Sequence, residues 1–143
     1  MTQADEQNVV IRLARIEDVP QIAELIEPFV RQRKLLRRSL QDLRDLTRNG
    51  FVAEAGGKVI GFAAVEIYSK KLAELQCLAV ATEYQKRGLG RQLVEACIRC
   101  TKEHKVLELM AITAKEKFFQ DCGFDYSLPD EKRALFINTR PRP

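Results

Sequence analysis

The six residues from Gln85 to Gly90 carry two glycines and two cations, and they connect an apolar run to an amphipathic one. We predict that the apolar run is a strand and that the stretch after Gly90 is a helix. A glycine-bearing loop that leads into a helix directs unpaired backbone N–H groups and the positive end of the helix dipole toward one point. Such a point binds anions, most often phosphate. Lys86, Arg87 and Arg91 would add positive charge there.

The bulk properties of the chain favour one cytoplasmic domain. Its 143 residues are 45% hydrophobic and 31% charged, so we assign residues 1–143 to a single domain, with residues 1–8 expected to be flexible. No apolar run reaches the roughly 18–20 residues of a membrane span. The N-terminus has neither the basic nor the apolar region of a signal peptide. We therefore expect no association with a membrane.

The four cysteines allow two interpretations. Cys97 and Cys100 have the spacing of a redox pair or of half a zinc site. A metal site is disfavoured because the chain has one histidine, His104, and no second cysteine pair. We interpret the cysteines as small buried thiols and expect no metal.

Seven cationic residues are concentrated between Arg31 and Arg48: Arg31, Arg33, Lys34, Arg37, Arg38, Arg44 and Arg48. Such a cluster is typical of an anion-binding or nucleic-acid-binding surface, and equally of a solvated helix face. No aromatic residues are interleaved with the cations, which argues against binding of single-stranded nucleic acid. We expect no nucleic-acid partner.

Periodicity and turn signals predict the elements around the loop. Strands are expected at 9–13, 51–55, 58–68, 72–80, 106–112 and 134–137, with helices near 19–29, 40–46, 91–98 and 115–122. The strand–helix–strand unit around the loop predicts that strands 72–80 and 106–112 are parallel. The expected fold class is α/β, with a central mixed, mostly antiparallel sheet of six to seven strands flanked by about four helices.

Several turn and cap signals support these boundaries. The Gly56-Gly57 pair predicts a two-residue hairpin turn. Asp18 with Gln21, and Ser39 with Asp42, predict capping boxes at the starts of the first two helices. Gly123 is expected to end the last helix, with Phe124 as the hydrophobic partner of the cap.

The loop also fits the pattern Q/R-x-x-G-x-G/A. With Leu78-Ala79-Val80 before it, an amphipathic helix after it and the Phe119…Gly123-Phe124 ending, the chain resembles the GNAT N-acetyltransferases over nearly its whole length. The resemblance implies an enzyme that transfers acetyl from acetyl-CoA to an amine. It assigns the coenzyme pyrophosphate to the loop and pantetheine to the strand. The implied coenzyme-binding residues are Leu78, Ala79, Val80, Gln85, Lys86, Arg87, Gly88, Leu89, Gly90, Arg91 and Phe119.

The resemblance also implies catalytic residues. Many GNAT enzymes carry a glutamate four residues before the pantetheine-binding triad, and Glu74 stands four residues before Leu78. Glu74 is thus the candidate general base, because an acceptor amine must lose a proton before it attacks; the alternative is a strand glutamate on an open face. Where relatives often have a tyrosine that meets the leaving thiolate, this chain has Phe119. Thr113 is the candidate replacement hydroxyl.

Segments 35–39, 74–80 and 128–133, together with 138–140, further resemble the acetyltransferase domain of N-acetylglutamate synthases. The implied reaction is direct acetylation of the α-amine of L-glutamate in a ternary complex, the entry step to arginine biosynthesis. In that family two arginines bind the substrate carboxylates, and by position they match Arg37 and Arg140. Cys77 lies in the matching strand segment and is the third candidate substrate-binding residue.

Two other functions fit the same features. One is acetylation of a different amine: a protein N-terminus, a lysine, a polyamine or another small molecule. The other is a regulatory module that binds acetyl-CoA without turnover, which the missing tyrosine allows. By analogy with GNAT proteins that pair through sheet edges or C-terminal strands, we expect a homodimer.

Overall fold

The structure, a computed structural model, describes residues 8–127 and 135–141. Five strands and four α-helices occur in them: β1 (Val9–Leu13), α1 (Val19–Arg31), α2 (Leu40–Leu46), β2 (Gly50–Ala55), β3 (Lys58–Ile67), β4 (Leu72–Val80), α3 (Leu89–Glu103), β5 (Glu108–Met110) and α4 (Glu116–Asp121). The chain divides into two compact units, Met1–Ala111 and Ile112–Pro143. The assignment of 1–143 to one domain stays a prediction. Of residues 1–8, expected to be flexible, only Asn8 lies within the described residues.

The first unit contains one sheet with the strand order β1-β2-β3-β4-β5. Neighbouring strands are antiparallel from β1 to β4, whereas β5 is parallel to β4. The α/β fold class, the mixed sheet and the parallel pairing across the loop are thereby confirmed.

The expected count of six to seven strands is wrong for the described residues, which form five. The sixth strand was placed at 134–137, and Ala134 lies outside the described part of the chain. Leu135, Phe136 and Ile137 are described, but they are not a strand and their side chains are exposed. An apolar run forms a strand only when another strand pairs with it, and the described sheet supplies none here.

Helices cover both faces of this sheet. Helices α1 and α2 pack their buried residues, among them Ile22 and Leu43, against Phe62 on one face. Helix α3 covers the other face and packs closely on it at Gly61. A Cβ added to Gly61 would lie only 3.1 Å from Leu93 Cδ1 of this helix. Among the described residues, no helix has both the length and the apolar character that crossing a membrane requires.

Most of the turns and helix caps predicted from the sequence are present in the structure. Gly56 and Gly57 form the β2–β3 turn with φ angles of +56° and +79°. The Ser39 hydroxyl accepts the Asp42 N–H at 3.0 Å, and Asp42 accepts the Ser39 N–H at 3.3 Å. Gly123, with φ +100°, ends α4, and Phe124 packs edge-on against Phe119.

The capping box predicted for α1 is wrong. The helix begins at Val19 as expected, but the Asp18 side chain makes no cap hydrogen bond. Its two carboxylate oxygens instead accept both terminal nitrogens of Arg12 at 2.8 Å, and one accepts the Arg15 N–H at 2.7 Å. The Gln21 side chain does not complete the capping box either, because its Oε1 accepts the backbone N–H of Val59 at 2.9 Å. The paired cation binds the Asp18 carboxylate more strongly than a neutral N–H does.

Arg12 ties three elements together. Its guanidinium reaches Glu54 Oε2 on β2 at 2.9 Å while it holds Asp18 at the start of α1. The Arg12 and Asp18 side chains are only 19% and 8% exposed. The hydrogen bond from Arg12 lowers the pKa of Asp18 below its ordinary value, although burial opposes this shift.

We predict that Asp18→Asn lowers the free energy of unfolding by about 2–4 kcal/mol, because it leaves Arg12 without its bidentate partner. The pKa of Asp18 is lower in the folded protein than in the unfolded chain. Its stabilising effect is therefore complete above about pH 5 and disappears as the pH falls through the folded-state pKa. Urea unfolding between pH 3 and 7 should show the wild-type advantage shrinking in acid.

Asp121→Asn is the matched control, because Asp121 pairs with Lys117 at 3.6 Å in an exposed position. This control should change the unfolding free energy by less than about 0.5 kcal/mol. Equal effects of the two substitutions would contradict a special role for the Arg12–Asp18 pair.

Candidate active site

The loop after β4 leads into α3, and the first backbone amides of this helix are not capped by a side chain. Gly88 is the N-cap residue with φ +80°, no side chain caps the helix, and its first turn has no acidic residue. The N–H groups of that turn have no intrahelical acceptor, so they are available to an external anion. A Cβ at Gly88 would meet no atom within 4 Å. Glycine is therefore favoured here for its backbone angle and not for lack of space.

Side chains of the loop hold its shape. Gln85 Nε2 donates to the Val80 carbonyl at 2.9 Å, which fastens the loop to the end of β4. Arg87 donates to the Glu83 carbonyl at 3.2 Å and lies 5.2 Å from the ring centre of Tyr84. Arg91 pairs with Glu95 at 3.1 Å, and Lys86 is exposed with φ +64°. The uncapped amides at the start of α3, which we call the amide cradle, therefore lie next in sequence to three cationic residues, a combination that favours binding of an anion.

We predict that Gly88→Ala weakens binding of coenzyme A about 10-fold, because an alanine at positive φ strains the cradle by about 1–2 kcal/mol. The matched control is Gly57→Ala, since Gly57 has φ +79° and the same open surroundings in the β2–β3 turn. Calorimetry should show weaker binding for Gly88→Ala alone, with a similar loss of stability in both variants. Equal coenzyme affinities would contradict the cradle.

Strand β4 carries a bulge just before this loop. Gln76 lies opposite Ala64 and Ala79 opposite Phe62, so two residues of β4 face Ala63 alone. Cys77, the first of the two, has φ +62°, which is uncommon for a residue other than glycine. A bulge bends its strand and increases the local twist. It also shifts the alternation of side chains, so that Ala79 lies on the same face as Gln76.

Strands β4 and β5 pair over three residues only, Leu72 to Glu74 on β4. Beyond Glu74, the described sheet has no strand beside that edge of β4. The backbone groups of residues 75–79 on that side therefore have no partner strand in the described sheet, whereas the Val80 carbonyl accepts Gln85 Nε2. Leu78 and Val80 are half-buried on β4, whereas Ala79 is buried. The resemblance assigns pantetheine to this part of β4, and that assignment stays a prediction.

Glu74 is the last residue of β4 that pairs with β5. Its side chain belongs to a chain of polar contacts. Its Oε1 accepts the Tyr68 hydroxyl at 2.5 Å. Gln76 Nε2 lies 3.4 Å from both the Tyr68 hydroxyl and Glu66 Oε2, and Gln76 Oε1 accepts Arg38 Nη2 at 2.5 Å. Burial, followed by the hydrogen bonds to Glu74 and Glu66, raises the pKa of Tyr68 well above its ordinary value.

Three members of this chain, Arg38, Tyr68 and Gln76, were absent from the candidate site residues. One signal was available, because residues two apart on a strand share a face and Gln76 follows Glu74 by two. Arg38 and Tyr68 carried no comparable signal, since each reaches β4 from another segment of the chain.

The two neighbouring arginines differ in their partners. Arg37 is 68% exposed and pairs with both carboxylate oxygens of Glu27, at 3.2 and 3.3 Å. Its hydrogen bond is the largest cause of the lowered pKa of Glu27. Arg38 points to β4 and lines a hollow of about 210 Å³ together with Arg48 and Glu66.

The cysteines are buried as expected at three positions, Cys77, Cys97 and Cys100, whereas the expectation is wrong for Cys122, which is half-buried. Cys77 is 7% exposed and packs in the core beneath α1 and α2. Burial raises the pKa of its thiol to about 11, although Arg38 opposes the shift. Across the described ranges, no group of three or more histidine, cysteine, aspartate or glutamate side chains could hold a metal ion.

The remaining candidates lie in the second unit. Phe119 on α4 is buried against Phe118 and Phe124, with ring centres 5.1 and 5.3 Å away. The Thr113 hydroxyl is exposed and accepts the Lys115 N–H at 2.8 Å before α4 begins. Arg140 is exposed, and its N–H donates to Asn138 Oδ1 at 3.0 Å. The coenzyme-binding role of Phe119, the catalytic role of Thr113 and the substrate-binding role of Arg140 stay predictions.

Comparison with known proteins identifies the family. The Acetyltransferase (GNAT) domain matches residues 47–126. An uncharacterized N-acetyltransferase of Chlorobaculum tepidum is 35% identical over 114 residues, covering 80% of this chain and 74% of that protein. The amino-acid acetyltransferase of Pasteurella multocida is 33% identical over 134 residues, covering 90% of this chain and 30% of that protein.

A solved structure is also similar. N-acetylglutamate synthase from Neisseria gonorrhoeae, complexed with coenzyme A and N-acetyl-glutamate, matches with a TM-score of 0.78 and 31% identity. The match covers 87% of this chain and 30% of that one. The chain therefore belongs to the GNAT acetyltransferase family, and it is an N-acetyltransferase with acetyl-CoA as its co-substrate. It spans about a third of the length of the synthase and of the amino-acid acetyltransferase.

Proposed function

We propose that this N-acetyltransferase acetylates the α-amine of L-glutamate by direct transfer in a ternary complex. The observation that carries the proposal is the Glu74 carboxylate at the divergence of β4 and β5, on the strand that leads into the amide cradle. The likeness to an N-acetylglutamate synthase supports the choice of acceptor. A step in arginine biosynthesis follows from the same likeness, and it stays a prediction, as do the cytoplasmic location and the homodimer expected from the sequence.

The residues of the first unit would divide the work by position. The backbone amides of Leu89 to Arg91 would hold the diphosphate of acetyl-CoA. The edge of β4 that faces away from β3 would hold the pantetheine arm, which is joined to the diphosphate. Acetyl-CoA supplies an acetyl group activated as a thioester. Glu74 takes the proton from the acceptor ammonium, directly or through a water, so that the neutral amine can attack. Backbone N–H groups on the β4 edge would donate to the thioester carbonyl. In the second unit, Thr113 stays the predicted hydroxyl for the leaving thiolate.

Recognition of glutamate requires cations for two carboxylates. Arg37 and Arg140 are the proposed ligands, and a guanidinium binds a carboxylate through two parallel hydrogen bonds. Arg37 already makes this pair of bonds with Glu27, so its side chain can present the fork geometry. The buried Cys77 would contribute as part of the floor of the acceptor site.

A steady-state assay with acetyl-CoA and a panel of amines tests the proposal. The panel contains L-glutamate, D-glutamate, L-glutamine, L-aspartate, spermidine and a peptide with a free N-terminus. We expect the highest kcat/KM with L-glutamate. Turnover of spermidine or the peptide, with no turnover of glutamate, would show that the acceptor is a different amine. Binding of coenzyme A without turnover of any amine would indicate a regulatory module.

Substitution of Arg37 tests the carboxylate contact. Arg37→Ala should raise the KM for glutamate about 10- to 100-fold, because a charge-assisted bidentate contact is lost. Arg31→Ala is the matched control, since Arg31 is also exposed and pairs with the same Glu27 at 3.2 Å. An equal rise in KM for both variants would assign the effect to Glu27 or to surface charge.

Substitution of Glu74 tests the base. Glu74→Gln should lower kcat about 100-fold near pH 7, with a smaller loss at high pH where the acceptor amine loses its proton unaided. The measurement is the pH–rate profile of kcat/KM for both proteins between pH 6 and 10. A parallel profile with a constant ratio would refute the base role of Glu74.

A further inference from the structure

The contacts around Glu74 form a directed chain of donors. Arg38 Nη2 donates to Gln76 Oε1, Gln76 Nε2 is positioned to donate to the Tyr68 oxygen, and the Tyr68 hydroxyl donates to Glu74 Oε1. Hydrogen bonds in such a series polarise one another, and here the positive end is a guanidinium and the negative end a carboxylate.

The position of Glu74 makes such support necessary. Glu74 and Glu66 lie directly opposite each other on β4 and β3. Two carboxylates in that relation repel each other. Separate donors face the two groups, because Tyr68 donates to Glu74 and Gln76 lies 3.4 Å from Glu66. Without its donor, the Glu74 side chain would turn away from Glu66 into solvent.

Tyr68 is well placed to hold Glu74. It follows β3 directly, and its backbone N–H donates to the Leu72 carbonyl at 3.0 Å, which closes the turn to β4. The residue is 52% exposed, yet its hydroxyl lies along the sheet face toward Glu74. The geometry thus fixes one oxygen of the carboxylate and leaves the other available.

We propose that Tyr68 is a positioning residue for the general base, held in turn by Gln76 and Arg38, so that Oε2 of Glu74 faces the acceptor amine. This inference rests on the proposed role of Glu74. The proton of the ammonium passes to Oε2, while the phenol proton of Tyr68 stays on its own oxygen. The raised pKa of Tyr68 agrees with a hydroxyl that remains a donor over the whole working pH range. The groups facing it are Glu74, Glu66, Gln76 and, through Gln76, Arg38.

The contact can be tested without any substrate. In protein with ¹³Cζ-labelled tyrosine, the Tyr68 signal should still be that of a protonated phenol at about pH 11, where an ordinary tyrosine is largely ionised. The signal that is missing from the spectrum of the Tyr68→Phe variant is assigned to Tyr68. Glu74→Gln should let Tyr68 ionise at a lower pH, and an unchanged Tyr68 titration in that variant would overturn the contact.

Kinetics then test the positioning role. Tyr68→Phe should lower kcat about 10-fold at an unchanged KM for acetyl-CoA, and it should have no further effect in the Glu74→Gln background. Tyr126→Phe is the matched control, because Tyr126 also bonds a carboxylate, that of Glu116, and it should keep full activity. Equal rates for Tyr68→Phe and wild type, or additive losses in the double variant, would overturn the inference. Failure of glutamate as acceptor would instead refute the proposed function, and the NMR comparison would still decide the contact.

Discussion

The structure depends on the two unequal pairings of β4. Along its β3 side the strand pairs from Ala73 to Val80, whereas on its β5 side it pairs only as far as Glu74. The bulge at Cys77 bends β4 just beyond that point. One strand is therefore paired along nearly its whole length on one edge, whereas on the other it has no partner strand beyond Glu74 in the described sheet. The same strand leads, through a 3-10 turn at Thr82–Tyr84 and the loop up to Gly88, to the amide cradle at the start of α3.

Charge contributes differently in the two parts of the first unit. The Arg12–Asp18–Glu54 cluster is largely shielded from water, and it fixes the start of α1 against β1 and β2. The Arg38–Gln76–Tyr68–Glu74 chain is half-exposed, and it holds a carboxylate at a place where the sheet opens. The first arrangement serves folding. The second holds Glu74, the proposed proton acceptor, beside another carboxylate, Glu66.

Features set by neighbouring residues could be predicted from the sequence. The Gly56-Gly57 turn, the Ser39 cap, the Gly123 helix end and the cradle all depend on local backbone chemistry. The predicted Asp18 cap failed because Arg12, six residues away, competes for its carboxylate. The bulge was not predicted because position 77 is a cysteine, and its positive φ is imposed by the pairing of β4 with β3. Arg38 and Tyr68 were missed because their contacts join segments that no local pattern connects.

One strand and its loop are proposed to bring the coenzyme and the acceptor amine together at Glu74. A crystal structure with coenzyme A and N-acetyl-L-glutamate would locate both ligands. We expect the diphosphate on the amides of Leu89 to Arg91, the pantetheine arm along residues 75–80 of β4, and the acetylated nitrogen within reach of Glu74, directly or through one water. Coenzyme bound away from the β4 edge, or a product nitrogen beyond reach of Glu74, would contradict it.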